Sequence, residues 1–194
     1  MLLNLIVQQP QALFQVIGRT PYWVWALLAG LVWLGASQLR DRTVGLRRAQ
    51  LVPLAMAAFS VMGVLSAFGG SAAVATQALS AWAAAATATA ALALWFQPTA
   101  PHGTLYAPSS RSFHVPGSAM PLALIVGIFL TKYFVGIELA MQPSLARDAG
   151  FALQIAGLYG MFSGLFGARA LRLWRLARSS AAQQAPTAWA SPSV

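Results

Sequence analysis

Long apolar runs separated by short polar connections dominate the sequence. Five of these runs are close to or above the ~20 residues that a helix needs to cross a bilayer. They cover residues 22–39, 51–68, 73–96, 120–141 and 149–168. The pattern therefore predicts an all-α integral membrane protein with five transmembrane helices.

The two ends of the chain do not have the length or hydrophobicity of a span. Polar residues at positions 8–11 divide the first 18 residues, and Pro10 suits the first turn of a short interfacial helix that ends at Gly18. An extended arm is the alternative. Residues 179–194 are rich in Ser, Ala, Gln and Pro and carry no charge, which predicts a disordered tail. Residues 1–178 then form a single membrane domain.

The connection between the third and fourth spans contains two short β-favouring runs, at residues 104–106 and 112–115. A turn-forming stretch lies between them, so the pattern predicts a small hairpin on the cytoplasmic side. An irregular loop over residues 104–115 is the alternative. A lone hairpin is only marginally stable in water, so it would have to lean on the helix ends or on lipid.

Small residues characterise two of the spans. The third is rich in alanine, which suits a helix packed among others, and we expect it in the interior of the bundle. The fifth carries glycines three and four residues apart, which form a stripe that another helix can approach closely: Gly157, Gly160, Gly164 and Gly167. Packing within the chain is the favoured interpretation, and a dimer seam is the alternative.

The composition excludes an ordinary soluble domain. Of the 194 residues, 58% are hydrophobic and 8% are charged, whereas a typical globular domain has about 25% charged residues. The net charge of +9 comes from basic residues placed between apolar runs, which does not indicate a nucleic-acid partner. Cysteine is absent, so thiolate chemistry and cysteine metal sites are excluded.

The basic residues predict the orientation of the spans. With five spans, nine arginines lie on one side and only Arg19 and Arg147 on the other. The positive-inside rule then places the nine in the cytoplasm, with the N-terminus outside and the C-terminus inside. A four-span chain would lose this bias. Seven of the nine are candidate contacts for anionic lipid headgroups: Arg40, Arg42, Arg47, Arg48, Arg169, Arg172 and Arg175.

The fourth span contains two ionisable residues, Lys132 and Glu138. Lys132 lies close to mid-span, where a charge is costly, so it is expected to face the bundle interior or a wet cavity. A structural lysine, a transport or ligand site, and a contact to a partner subunit are the alternatives. Glu138, six residues later, lies on a different face of the helix and is not its partner.

Neighbours for these two groups follow from matching depths across the spans. For Glu138, the favoured interpretation is a residue at the rim that is solvated or paired with Arg147 or Arg19. The alternative follows from its depth, which matches that of Gln77 and Gln154, and is an outer polar cluster of the three. The groups at the depth of Lys132 are all neutral: Ser60, Thr87, Tyr159 and Ser163.

Catalytic motifs are missing from the chain. His102 and His114 have no second metal-ligand type at a useful spacing, and no phosphate loop, nucleophile elbow or carboxylate pair occurs. We therefore expect no enzyme, metal or cofactor. The favoured function is a structural or accessory membrane component, with membrane lipids and a possible second copy or other membrane subunit as partners. A small oligomeric transporter or channel that uses Lys132 is the alternative.

Several motifs resemble a family of small bacterial inner-membrane proteins known as a domain of unknown function. The resemblance extends over about residues 15 to 178. It rests on residues 20–25, on Gly35 with Arg40 and Arg42, on Pro53 and Ser60, on residues 116–118 with Pro121 and Leu122, and on residues 129–133. It implies a multi-pass protein of the bacterial inner membrane and supplies no activity or catalytic residue.

Overall fold

The computed structural model describes residues 18, 20–101, 103–107 and 109–183. Within these residues, five long α-helices are present: α1 (Tyr22–Ala36), α2 (Leu46–Phe68), α3 (Ala72–Phe96), α4 (Met120–Met141) and α5 (Ala149–Gln183). Each is long and apolar enough to cross a membrane. The expected five-span architecture is therefore present as five suitable helices. The expected interfacial helix at residues 10–18 lies almost entirely outside the described residues.

Short elements connect the helices. A 3₁₀ turn over Ser37–Leu39 extends α1, and a second over Pro143–Arg147 joins α4 to α5. Helix α2 begins at Leu46, five residues before the expected start of the second span, so Arg47 and Arg48 lie in its first turn. Helix α5 continues without a break to Gln183, so the start that we assigned to the tail, residue 179, is too early.

A three-stranded antiparallel sheet lies at one end of the bundle. The segment expected to form a hairpin or loop contains β2 (Leu105–Ala107) and β3 (Ser112–Val115), which pair with each other. A further strand, β1 (Arg42–Gly45), pairs with the other edge of β3, giving the order β1-β3-β2. Strand β1 was not predicted from the sequence. This strand supplies the support that an isolated hairpin lacks.

The sheet packs on the last turns of α5. Phe113 and Val115 of β3 form a buried cluster with Leu173 and Ala177 of α5, and Val44 of β1 packs against it. The main core lies at the opposite end of the bundle, where residues of α2, α3, α4 and α5 pack together. There the Phe68 ring of α2 meets the Phe151 ring of α5 edge to face, with centroids 6.0 Å apart. Helix α5 therefore connects both cores.

Helix α3 packs most extensively against α5. The contact is close because Gly160 and Gly164 have no side chain: a Cβ at Gly160 would overlap the Trp82 carbonyl oxygen, and one at Gly164 would overlap that of Ala86. Within the part of the chain that the structure describes, Gly157 and Gly167 face open space. Only the central pair of the predicted glycine stripe is therefore in the contact, since crossing helices diverge on either side of their closest approach.

The rest of α3 lies at the outer surface, which contradicts its expected interior position. Its buried residues are Val74 and Ala78, whereas Trp95 is 84% exposed and Phe96 is 78% exposed. The small residues of α3 serve one close contact with α5 and do not enclose the helix on all sides.

Candidate functional site: a mid-span notch at Lys132

A notch at the middle of the bundle is formed by α2, α4 and α5. Its volume is about 40 Å³, which is room for roughly three water molecules or for the end of an apolar group. Phe59, one of its walls, is 64% exposed, so the notch opens on the outer surface of the bundle. Its lining is aromatic and aliphatic apart from two serines, a tyrosine and one lysine: Met56, Phe59, Ser60, Ile128, Lys132, Tyr159, Phe162, Ser163 and Phe166. We refer to this set as the Lys132 notch.

Lys132, the only lysine of the chain, supplies the charge of the notch. The residue is exposed at the bundle surface, and its ammonium nitrogen lies 5.1 Å from the centroid of the buried Tyr159 ring. Gly63 leaves space for this nitrogen, because a Cβ there would lie 2.7 Å from it. The face of an aromatic ring attracts a cation, so Tyr159 and Gly63 together hold the amine against the wall of the notch.

The serine hydroxyls of the notch are fixed by hydrogen bonds. Ser163 Oγ donates to the carbonyl oxygen of Tyr159 at 2.9 Å, and Ser60 Oγ donates to the same oxygen at 3.4 Å. The indole N–H of Trp82 donates to Ser60 Oγ at 2.9 Å. Both hydroxyl protons are therefore already donated, so that towards the notch the serines can act only as hydrogen-bond acceptors.

The expected neighbours of Lys132 are largely correct. Ser60, Tyr159 and Ser163 line the notch with it, whereas Thr87 is exposed on α3 and does not. Lys132 was expected to face the bundle interior or a wet cavity. The bundle interior is wrong for the residue as a whole, because only its ammonium end turns onto Tyr159, whereas the notch that it lines has room for water. A depth match identifies which groups share a level of the membrane but does not give the direction in which a helix faces.

The expected outer polar cluster does not form among the described residues. Glu138 is 3% exposed, and neither of its carboxylate oxygens has a hydrogen-bond partner among them. Gln77, Gln154 and Arg147 are exposed. Glu138 is therefore buried, not solvated at the rim, in a part of α4 whose residue Val135 belongs to the core. Its other proposed partner, Arg19, lies outside the described residues.

The arginines expected to contact lipid headgroups divide into two groups. Four are exposed, namely Arg40, Arg47, Arg48 and Arg175, and Arg42 and Arg169 are half-buried.

Arg172 is an exception among these arginines, because it is 7% exposed. One terminal nitrogen of its guanidinium donates to the Ala93 carbonyl oxygen at 2.7 Å, and the other donates to Gln97 Oε1 at 3.2 Å. Arg172 therefore binds the carboxyl end of α3, and its prediction as a lipid contact is wrong. A signal was present in the sequence: Gly164, Ala168 and Arg172 are four residues apart and continue the face of α5 that packs on α3.

Five helices that are long and apolar enough to cross a membrane indicate a multi-pass α-helical membrane protein. The chain belongs to the family of unknown function DUF6622, whose model matches residues 1–184. No curated protein and no solved structure matches the chain.

Proposed function

We propose that this protein is a non-catalytic accessory component of the bacterial inner membrane that binds a lipid-soluble ligand in the Lys132 notch. The observation that carries the proposal is an amine at mid-span that lies against an aromatic wall, 5.1 Å from the Tyr159 ring, in a notch open to the outer surface of the bundle. The ligand is an apolar molecule with a carbonyl or carboxylate oxygen, such as a quinone or a fatty acid.

The depth of Lys132 supports this class of ligand. The residue lies 12 positions after Met120 and nine before Met141, which is roughly 18 Å and 13 Å from the two ends of α4. A lysine side chain covers only part of such a distance by snorkelling. The acceptor oxygen must therefore be carried into the membrane by the ligand itself, since lipid headgroups remain at the surface.

The hydrogen bonds of the notch also favour an acceptor. A lysine has donors and no acceptor, and the described residues place no carboxylate in the notch. The ring of Tyr159 attracts the charge but forms no conventional hydrogen bond with it. A ligand oxygen would complete the hydrogen bonding of the amine, while the apolar walls would contact the adjoining end of the ligand.

For the orientation, we propose that the N-terminus lies outside and the C-terminus in the cytoplasm. Arg40, Arg47, Arg48 and Arg175 are exposed at the end of the bundle that carries the sheet, where they act as topology determinants and anchors for anionic headgroups. Arg147, in the turn between α4 and α5, marks the opposite end.

A small oligomeric transporter or channel is the second candidate function. It is favoured by the position of Lys132 at the outer surface of a single chain. A second copy, or another membrane subunit, would cover the amine there and turn the notch into an enclosed path. Intramembrane charges commonly mark such paths.

The test compares wild type, Lys132→Met and a matched control, Glu138→Gln, by thermal unfolding in detergent. The control neutralises the other ionisable residue of α4, which does not line the notch. A short-chain quinone, oleate and inorganic sulfate are added separately. We expect quinone or oleate to raise the Tm of wild type and of Glu138→Gln by several degrees, and to leave Lys132→Met unchanged.

Two results would contradict the proposal. An equal Tm shift in all three proteins would mean that the compound does not contact the amine. The absence of a Tm shift with both the quinone and oleate would exclude lipid-soluble ligands of this class. Flux measured in vesicles separates the second candidate: a transporter loses transport in Lys132→Met, whereas an accessory protein has no transport to lose.

A further inference from the structure

Half-buried arginines converge where the sheet meets α5. Along β1, Arg42 and Val44 are partly buried and alternate with exposed residues, so their side chains lie on the same face of the strand. Val44 packs against the cluster of Leu173 and Ala177 on α5. Arg42, which pairs with Val115 of β3, therefore also faces α5.

The helix presents its own arginines to this place. Arg169 lies four residues before Leu173, one turn away on the same stripe of α5. The positive charges of Arg42 and Arg172 both act on Arg169, as expected if the three lie together. Arg169 also follows Ala149 by 20 residues, which is about 30 Å along a helix and close to the thickness of the hydrocarbon core. The cluster is therefore at headgroup depth.

The amino end of α2 adds to the positive potential. Helix α2 begins directly after β1, has no side-chain cap and has no acidic residue in its first turn. That turn instead contains Arg48, whose charge acts on Arg42. Burial, and secondarily the charge of Arg48, lower the pKa of Arg42. The positive end of a helix dipole and a set of guanidinium groups thus meet at one place.

No acidic residue of the described chain forms an ion pair with these arginines. Only three acidic residues occur in the sequence. Asp148 accepts the Phe151 N–H at the other end of α5, at 2.6 Å, and Glu138 is buried in α4. Asp41 accepts the Gly117 N–H at 2.9 Å. Moreover, the buried Nε of Arg172 has no hydrogen-bond partner among the described residues.

We propose that Arg42, Arg48 and Arg169 form a binding site for a phosphate group, with Arg172 as a fixed positive charge beside it. The planar guanidinium binds phosphate oxygens in pairs, and several such groups together match a tetrahedral anion better than a carboxylate. The phosphate belongs either to an anionic phospholipid or to a soluble phosphate compound. The site is separate from the Lys132 notch and does not depend on the function proposed for it.

The test uses the full-length protein in phosphatidylcholine nanodiscs and the double variant Arg42→Gln/Arg169→Gln. A matched control, Arg147→Gln/Arg178→Gln, removes the same charge from exposed positions. Thermal unfolding is followed in one arm with a series of phosphatidylglycerol fractions, and in the other with inorganic phosphate in pure phosphatidylcholine. We expect wild type and control to gain stability in at least one arm, and the site variant to need an at least about tenfold higher ligand level.

The arm that responds identifies the source of the phosphate. A response to phosphatidylglycerol alone assigns a lipid headgroup, and a response to inorganic phosphate assigns a soluble ligand. If the control variant loses as much ligand-induced stabilisation as the site variant, the effect is general charge attraction and the proposal is overturned. The absence of a response in both arms would also overturn it.

A second variant guards against misfolding. Arg42→Lys/Arg169→Lys keeps the charge and removes the paired donors, and it is expected to bind phosphate more weakly than wild type at equal ionic strength. If it binds as tightly as wild type, the paired geometry is not used and the proposed site is wrong.

Discussion

Adding one methyl group to each glycine of the α3–α5 contact should weaken the fold. In Gly160→Ala/Gly164→Ala, the new Cβ atoms would meet the Trp82 and Ala86 carbonyl oxygens and would lie 3.0 Å from the Cβ atoms of Ala85 and Thr89. These neighbours are backbone atoms and short side chains, which have no flexible end to move away. The two helices must therefore separate, and overpacking of this kind costs about 1 to 3 kcal/mol.

The pair Gly157→Ala/Gly167→Ala is the matched control, because at neither position does an atom of the described residues lie within 4 Å of a new Cβ. Both double variants gain the same helix propensity, about 1 kcal/mol for each glycine replaced, so that gain cancels in the comparison. At about 2 to 4 °C for each kcal/mol in a chain of this size, thermal unfolding in detergent should place the contact variant 2 to 12 °C below the control. Equal Tm values for the two would refute the close α3–α5 contact.

Substitutions at three further sites, two of them with a control variant, test the other assignments. Arg172→Met removes the hydrogen bonds to the carboxyl end of α3 and should lower the free energy of unfolding by about 1.5 to 3 kcal/mol, measured by thermal unfolding. Arg175→Met, at an exposed position, should stay within about 0.5 kcal/mol of wild type, and equal effects of the two would contradict the buried role of Arg172. Asp148→Ala loses the bond to the Phe151 N–H and should cost about 1 kcal/mol, which Asp148→Asn should largely restore. Gly63→Ala places a methyl group 2.7 Å from the Lys132 nitrogen. It should not lower the Tm, because the flexible ammonium can move and alanine favours the helix, yet it should weaken quinone or oleate binding, and unchanged binding would count against the notch.

Element type was predictable from the sequence because the membrane constrains it strongly. A run of about 20 apolar residues has few alternatives to a spanning helix, and helix α4 begins and ends at the predicted residues, Met120 and Met141. Strand β1 was not predictable in this way. It has four residues, two of which are Arg42 and Gly45, and it becomes a strand through pairing with β3, a segment far away in the sequence.

Helix rotation was the other point that the sequence left open. The polar residues of the spans could be placed at a depth from the hydropathy pattern, and this found Ser60, Tyr159 and Ser163 around Lys132. The direction in which each residue faces depends on how neighbouring helices pack, which is why Thr87 was wrongly included and Glu138 was wrongly placed at the rim. Hydrophobicity differs little between the faces of a spanning helix, so it carries little information about rotation.

Five crossings of the membrane, with the arginine-rich end in the proposed cytoplasmic position, predict a labelling pattern that can be measured directly. Because the chain has no cysteine, single cysteines can be labelled without background. Ser109→Cys, between β2 and β3, and Ser144→Cys, between α4 and α5, are both at exposed positions. A membrane-impermeant maleimide applied to spheroplasts should label Ser144→Cys directly and Ser109→Cys only after permeabilisation. Labelling of both from the outside, or the reverse pattern, would contradict the proposed five-span topology.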